Sequence, residues 1–225
     1  KKITRTGVGT TTVYYRVTKE NVDTITGKNK ITINKATYKP TVKDYNAGYD
    51  SRSHSISLSG VKSGSKITYR TSPTGKWTTT KPTRTKLGTT TVYYQITHPN
   101  YNTVTGSRKI TISKRKVSTL TYSKISNKAY TGKQIKPSIT VKYNGKTLKN
   151  GTDYTISYGK NKAIGNGSIK ITGKGNYTGS LTKSFKITKR NVSTLTYSKI
   201  SNKSYTGKQI KPSITVKYSG KTLKK

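Results

Sequence analysis

The chain has no cysteine, no methionine and only five acidic residues in its 225 positions. Without cysteine, no disulfide can brace the fold and no thiolate can bind a metal ion. The lack of both oxidisable residue types suits an oxidising, extracellular environment. Apolar residues make up 28% of the sequence, and no apolar run approaches the roughly 18 to 20 residues that span a bilayer. We therefore expect thin domain cores and no transmembrane segment.

Positive charge is abundant where acidic residues are scarce. The sequence has 46 lysines and arginines and a formal net charge of +41, and the excess is spread along the chain. A protein with this charge binds polyanions without sequence or shape specificity. The expected partners are therefore wall polymers, acidic glycans such as mucin, DNA, anionic membrane or an acidic protein filament.

A long internal repeat defines the second half of the chain. Val117–Lys149 recurs as Val192–Lys224, 75 residues later, with two substitutions. A fixed period of this length indicates a small domain copied in tandem. Within the repeat, Ser138–Tyr143 alternates polar and apolar residues and is followed by Asn144-Gly145. This pattern is the strongest short-range signal for a β-hairpin.

A second repeat type fills the first half. The seven residues Gly9–Tyr15 recur identically as Gly88–Tyr94, 79 residues later. Together the repeats predict four segments: the C-terminal part of a first-type repeat (1–35), a complete first-type domain (36–114), a complete second-type domain (115–189) and the N-terminal part of a further second-type domain (190–225). Both ends of the chain are therefore expected to lie inside repeats of a longer protein.

Strands are predicted throughout, because no segment shows the 3.6-residue apolar period of an amphipathic helix. The predicted strands of the two complete domains are 55–59, 66–70, 90–97 and 109–113, followed by 153–158, 168–172 and 181–188. The junctions between domains are short and basic, without flexible linkers. The expected architecture is all-β, with small domains held end to end as a rod.

Two sets of residues carry a resemblance to known repeats. The first set is Tyr49-Asp50, His54, Ile67 to Tyr69, Trp77, Pro82, Gly88 to Tyr94 and Pro99 to Tyr101. The second is Tyr130 to Lys133, Ile135 to Pro137, Gly145 to Leu148, Gly151 to Tyr154 and Gly173 to Gly179. The first set resembles the MBG-type repeats of large bacterial surface proteins, and the second resembles a repeat found beside them.

The resemblance implies small Ig-like β-sandwich domains, with a β-grasp fold as the alternative seen in some mucin-binding relatives. Such repeats occur in secreted, wall-associated proteins of Firmicutes such as clostridia, where they serve as stalks, spacers and adhesive modules. This chain departs from the family pattern in charge, since positions that are often acidic there are lysine, asparagine or serine here.

Ten lysines form a stripe that recurs in both second-type copies. We predict that this stripe binds polyanions, with an ordinary solvated surface as the alternative. Its members are Lys133, Lys136, Lys142, Lys146, Lys149, Lys208, Lys211, Lys217, Lys221 and Lys224.

Several aromatic residues are candidates for stacking on bases or sugars. Tyr101, Tyr130, Tyr177 and Tyr205 lie near turn signals, which places them nearer the surface than the tyrosines inside strands. The alternative for each is packing in a thin core. Trp77 follows a turn and is predicted to cover the core rather than to hold a ligand.

The chemistry of an enzyme is poorly represented. The five acids and two histidines show no metal-ligand spacing, phosphate-binding loop or nucleophile elbow. We therefore predict no enzymatic activity, metal ion or cofactor. Asp50 and His54 are close enough in sequence to form a hydrogen-bonded pair, which we interpret as a turn carboxylate beside an imidazole at a strand start.

Asp153 is the lone acid of its domain and has two interpretations. A buried Asp153 could catalyse a lysine–asparagine isopeptide bond, a staple of bacterial surface sandwiches, if desolvation raised its pKa. Alternatively, Asp153 is a turn residue that accepts backbone N–H bonds, and its position after Gly151-Thr152 favours this second interpretation.

The sequence therefore favours a structural and adhesive segment of an extracellular surface or filament-associated protein. The alternative is a specific binding module for acidic glycan, mucin or extracellular DNA.

Overall fold

The computed structural model describes residues 3–218 and 220–223. The described residues fall into two compact units, Lys1–Arg115 (unit 1) and Lys116–Lys225 (unit 2). Within the described part of the chain, the helical elements are two short 3₁₀ turns, Val117–Thr119 and Val192–Thr194. All other regular structure is β, so the predicted all-β class is confirmed.

Unit 1 contains one hairpin and one complete set of two sheets. Its strands are β1 Gly9–Lys19, β2 Val22–Ile33, β3 Thr41–Lys43, β4 Tyr45–Gly48, β5 Ser57–Ser59, β6 Lys66–Arg70, β7 Gly88–His98 and β8 Tyr101–Ser113. β1 pairs with β2, and β3 pairs with β5. The four-stranded sheet has the order β4-β8-β7-β6, in which β4 runs parallel to β8 and the other pairs are antiparallel.

Unit 2 repeats this arrangement with a different sequence. From the unit boundary onward the strands are β9 Arg115–Lys116, β10 Thr121–Tyr122, β11 Lys128–Ala129, β12 Val141–Tyr143, β13 Lys146–Thr147, β14 Tyr154–Tyr158, β15 Gly165–Gly173, β16 Tyr177–Thr178, β17 Ser180–Thr188, β18 Thr196–Tyr197, β19 Val216–Tyr218 and β20 Lys221–Thr222. The four-stranded sheet has the order β11-β17-β15-β14, in which β11 runs parallel to its neighbour β17, as β4 does to β8 in unit 1. Three-stranded sheets form from β10-β12-β13 and β18-β19-β20.

The predicted hairpin at Asn144-Gly145 is confirmed. β12 and β13 pair through Tyr143 and Lys146, and the two turn residues have φ of 46° and 77°. Positive φ at both positions is the geometry that selects asparagine followed by glycine in a two-residue hairpin. The strand over Lys66–Arg70 is observed with the predicted bounds, whereas β3 and β4 were not predicted.

The cores form where strand alternation points apolar side chains to one face. In unit 1, β7 and β8 supply the buried residues Val92, Tyr94, Ile96, Ile110 and Ile112. In unit 2, β15 and β17 supply Ile169, Ile171, Phe185 and Ile187, and the hairpin side contributes Ile139, Val141 and Leu148. The period-two pattern of the sequence therefore corresponds to burial.

The repeated sequence is buried in one copy and exposed in the other. Val117 is 1% exposed and its counterpart Val192 is 68% exposed, and Leu148 and Leu223 are 7% and 43% exposed. The second copy has no counterpart of β14, β15 and β17 within these 225 residues. The second half of the repeat therefore supplies the sheet that covers the first half.

Candidate ligand-binding site

The predicted lysine stripe is accessible to solvent. Each of its members that the structure describes has an exposed side chain: Lys133, Lys136, Lys142, Lys146, Lys149, Lys208, Lys211, Lys217 and Lys221. Lys224 lies outside the described residues. In the complete domain, Lys142 and Lys146 lie on β12 and β13, on either side of the tight turn. Accessibility of this kind is what contact with a polyanion requires.

The four candidate stacking tyrosines have different environments. Tyr205 and Tyr130 are 95% and 40% exposed. Tyr101 is half-buried and packs edge-on against Tyr38, with 5.0 Å between the ring centroids. Tyr177 begins β16 and is only 5% exposed. The prediction that Tyr177 stacks on a ligand is therefore wrong, because its ring belongs to the core.

Asp153 has the turn role that its sequence position favours. Its Oδ2 accepts a hydrogen bond from the Lys149 N–H at 2.8 Å, and its own N–H donates to the Lys149 carbonyl at 2.8 Å. The Asp153 carbonyl accepts from the Lys174 N–H at 2.9 Å. The carboxylate thus caps a turn between Lys149 and β14. The turn interpretation is confirmed, and these contacts give no support to the isopeptide interpretation.

Two further aspartates are also engaged by groups other than lysine side chains. Asp44 Oδ1 accepts from the Lys109 N–H at 2.8 Å. Asp50 Oδ1 accepts from the Arg52 N–H at 2.9 Å and lies 2.8 Å from His54 Nε2. Burial alone would raise the pKa of Asp50, but the hydrogen bonds from His54 and the Arg52 N–H outweigh it, so this pKa is lower than usual. The expected Asp50–His54 pair is confirmed.

An arginine–aromatic cluster lies on the outer face of the unit 1 sheet. Tyr69 on β6 and Tyr94 on β7 point into the core, so their neighbours Arg70 and Tyr93 point outward. The Arg70 guanidinium carbon lies 4.4 Å from the Trp77 ring centroid and 5.7 Å from that of Tyr93. We call Arg70, Trp77 and Tyr93 the arginine–aromatic cluster.

A shallow groove runs beside this cluster. Arg70, Trp77 and Tyr93 line it together with Thr105, Gly106 and Ser107 of β8. Register explains the grouping, because Tyr93 pairs with Arg70 on one side and with Ser107 on the other. Tyr94 also lines the groove, and its ring lies across Gly106. The groove thus combines three aromatic residues, one guanidinium and the hydroxyl groups of Thr105 and Ser107.

Trp77 is therefore misassigned by the sequence, which predicts a core cover. The residue after it, Thr78, pairs with Tyr69 through backbone hydrogen bonds of 2.7 and 2.9 Å. This bridge fixes the local alternation and leaves Trp77 half-buried beside Arg70. The nearest sequence signal is the pair Tyr69-Arg70 in an alternating strand, which indicates that Arg70 faces outward.

The fold and these surfaces define an all-β repeat protein with a strongly basic exterior. Residues 54–172 match the family described as a domain of unknown function (DUF8428). This match covers more than half of the chain, and the chain therefore belongs to that family. No curated protein matches it. Along the ranges 3–218 and 220–223, the structure contains no helix long and apolar enough to cross a membrane.

Proposed function

We propose that this chain is a structural and adhesive segment of a long extracellular bacterial surface or filament-associated protein. Its domains are tandem Ig-like β-sandwiches arranged end to end, and its lysines hold anionic polymers. The observation that carries the proposal is the exposure of the lysine stripe in a protein that has hardly any acidic residues to neutralise it. The resemblance to bacterial surface repeats and the absence of cysteine and methionine support the extracellular location.

The charge has no internal counterpart. With five acids against 46 lysines and arginines, at most a small minority of the cations can form an ion pair with a carboxylate. Asp44 and Asp153 accept backbone N–H groups, and Asp50 is held by a backbone N–H and His54. An approaching polyanion therefore meets lysines that are solvated rather than paired, and it gains the entropy of released counterions.

The test is binding of the full chain to a teichoic-acid wall polymer, mucin and double-stranded DNA across a salt series. We expect all three to bind at low salt, and the charge-dependent part of each affinity to fall as salt rises. Replacing Lys133, Lys136, Lys142, Lys146 and Lys149 with glutamine should lower the slope of log K against log salt for DNA by up to about 4 to 5. The same five lysines changed to arginine are the matched control and should keep the slope.

Absence of binding to all three polymers at low salt would overturn the proposal. An equal slope for the glutamine and arginine variants would show that this stripe does not contact the polyanion.

A further inference from the structure

We propose that the arginine–aromatic cluster is a binding site for an acidic saccharide, in which a sugar ring packs on Tyr93 and Trp77 and its carboxylate or sulfate binds Arg70. This inference rests on the proposed function, since it names one polyanion class and one site on the same protein. It differs in that the affinity comes from a shaped groove rather than from dispersed charge.

The aromatic part of the groove fits a sugar ring. Trp77 and Tyr93 lie on the outer face of the sheet, and both are half-buried rather than core residues. The apolar face of a pyranose packs on such rings, whereas its hydroxyls need polar partners at the edge. Thr105 and Ser107 supply hydroxyl groups in the same groove, and each can donate one hydrogen bond and accept others.

Arg70 explains why the saccharide should be acidic. Its guanidinium lies against the ring of Trp77, which holds the planar group in place by cation–π attraction. Its Nε is shielded from solvent and has no hydrogen-bond partner. Because Nε is shielded, the terminal N–H groups of the guanidinium are the ones that can donate to a carboxylate or sulfate oxygen in the groove, as charge-assisted hydrogen bonds.

A single-stranded nucleic acid is the competing ligand, because bases also stack on tryptophan and tyrosine. Proteins that bind single-stranded nucleic acid present successive aromatic side chains along a positively charged groove. Here the rings of Trp77 and Tyr93 lie in one groove that Tyr94 also lines, and the hydroxyls of Thr105 and Ser107 lie beside them. This favours one sugar ring with an acidic substituent over a run of nucleotides.

The chain contains a matched comparison for this site. Tyr14 of β1 is the repeat counterpart of Tyr93, but its hairpin has no counterpart of β6 within the 225 residues. Tyr14 is 75% exposed, whereas Tyr93 lies near the guanidinium of Arg70. Substitution of Tyr14 therefore tests an isolated tyrosine on the same kind of surface.

The experiment uses fluorescence of Trp77, which is the single tryptophan of the chain. The full chain is titrated with an oligogalacturonate tetrasaccharide, a chondroitin sulfate tetrasaccharide, a neutral galactan tetrasaccharide and oligo-dT. The titrations are run at low salt and at about 0.5 M NaCl, because screening at high ionic strength removes most charge-only binding. The carboxylated and sulfated arms distinguish the two anionic groups.

We expect one acidic tetrasaccharide to change the Trp77 fluorescence and to retain affinity at the higher salt. Arg70→Gln should weaken that binding by roughly tenfold to a hundredfold, because a charge-assisted hydrogen bond is lost. Tyr93→Ala should weaken it as well, and Tyr14→Ala should not. Lys170→Gln, which removes one exposed charge from β15 of unit 2, is the control for net charge. The Arg70→Lys variant keeps the charge and should bind weakly, since it lacks the planar fork.

Three outcomes would overturn the site. The first is equal binding of the neutral tetrasaccharide, the second is salt-resistant binding of oligo-dT that depends on Arg70, and the third is loss of every acidic ligand at the higher salt. The third outcome leaves the proposed function intact if binding at low salt persists. Absence of binding at low salt would instead overturn both. Circular dichroism of each variant separates lost binding from lost folding.

Discussion

The ring of Phe185 lies directly across the backbone of its cross-strand partner Gly167. A Cβ placed on Gly167 would lie 2.5 Å from Phe185 Cζ, closer than two carbon atoms can approach. The first repeat type uses the same arrangement, since Tyr94 lies across Gly106. In a core with few apolar residues, one aromatic ring thus fills the space above two adjacent strands.

We predict that Gly167→Ala destabilises unit 2 by roughly 1–3 kcal/mol, because the new methyl group overpacks the core against Phe185. Faster hydrogen exchange of the Ile169 and Ile171 amides would report the loss locally. Gly7→Ala is the matched control, since a Cβ at Gly7 meets no atom within 4 Å. A neutral Gly167→Ala variant would show that the ring of Phe185 moves away without cost.

Asn161 is the one polar residue in the buried set of the described chain, at 6% exposure. Its side-chain Nδ2 donates to the carbonyls of Ile135 and Ser168, both at 3.0 Å. Its Oδ1 accepts from the Ser168 N–H at 2.8 Å. The side chain thus ties the loop after β14 to β15 and to the segment before β12.

We predict that Asn161→Ala costs roughly 2–4 kcal/mol in the free energy of unfolding, because the Ser168 N–H and the Ile135 carbonyl lose this partner. The Ser168 carbonyl keeps the hydrogen bond from the Gly159 N–H. The Ser168 amide proton should exchange faster than in the parent chain. Asn166→Ala, at an exposed position of β15, is the control and should change stability by less than about 0.5 kcal/mol. Equal effects of the two substitutions would show that the hydrogen bonds of the Asn161 side chain do not stabilise unit 2.

Local patterns predict the parts of the fold that depend on neighbouring residues. The Asn144-Gly145 turn and the strand Lys66–Arg70 follow from turn chemistry and period-two alternation. The parallel pairing of β4 with β8 joins segments more than 60 residues apart, and no local signal specifies it. Tyr177 occupies an Asn-Tyr-Thr-Gly context that resembles an exposed turn, yet packing against the sheet buries it.

In the candidate site, too, local sequence predicts some placements and tertiary contacts decide the others. Outward placement of Arg70 follows from alternation along β6, since Tyr69 is apolar and faces the core. The position of Trp77 depends on the bridge between Tyr69 and Thr78, which is a tertiary contact of an irregular segment. Sequence reasoning therefore predicts exposed lysines well, because solvation is their usual state, and misses a cluster formed by three separate segments.

Acid should weaken unit 1 through Asp50. Its pKa in the folded protein is lower than the usual value of 3.8, so folding stabilises the carboxylate form of Asp50 relative to the protonated form. This stabilisation is fully present above about pH 4 and is lost as pH falls through the lowered pKa. The sign follows from the unfolded chain binding the proton first.

We predict that Asp50→Asn lowers the free energy of unfolding by roughly 1–3 kcal/mol near neutral pH, because a charge-assisted hydrogen bond to His54 is lost. The difference from the parent chain should shrink below about pH 4. Urea unfolding across a pH series, with hydrogen exchange of the His54 amide, measures both effects. Asp23→Asn, at an exposed position of β2, should leave the profile unchanged, and a constant difference at all pH values would contradict the ionic origin.

Alkali should weaken unit 2 through Tyr122. Burial raises the pKa of this phenol, with a further contribution from Tyr154, and its hydroxyl donates to the Val117 carbonyl at 2.6 Å. The folded state therefore retains the proton while the unfolded chain loses it near pH 10. The stabilisation is fully present below about pH 10 and is lost as pH rises through the raised pKa.

We predict that Tyr122→Phe costs about 1 kcal/mol at pH 8, because the hydrogen bond to Val117 is lost. This cost should shrink as pH rises beyond about 10, since the phenylalanine variant has no proton to lose there. Tyr197→Phe changes the repeat counterpart, which is 58% exposed, and should alter stability by less than about 0.5 kcal/mol. Urea unfolding of the parent chain and the two variants, at pH 8 and above about pH 10, provides the measurement. A cost for Tyr122→Phe that grows with pH would reverse the sign and contradict burial of the neutral phenol.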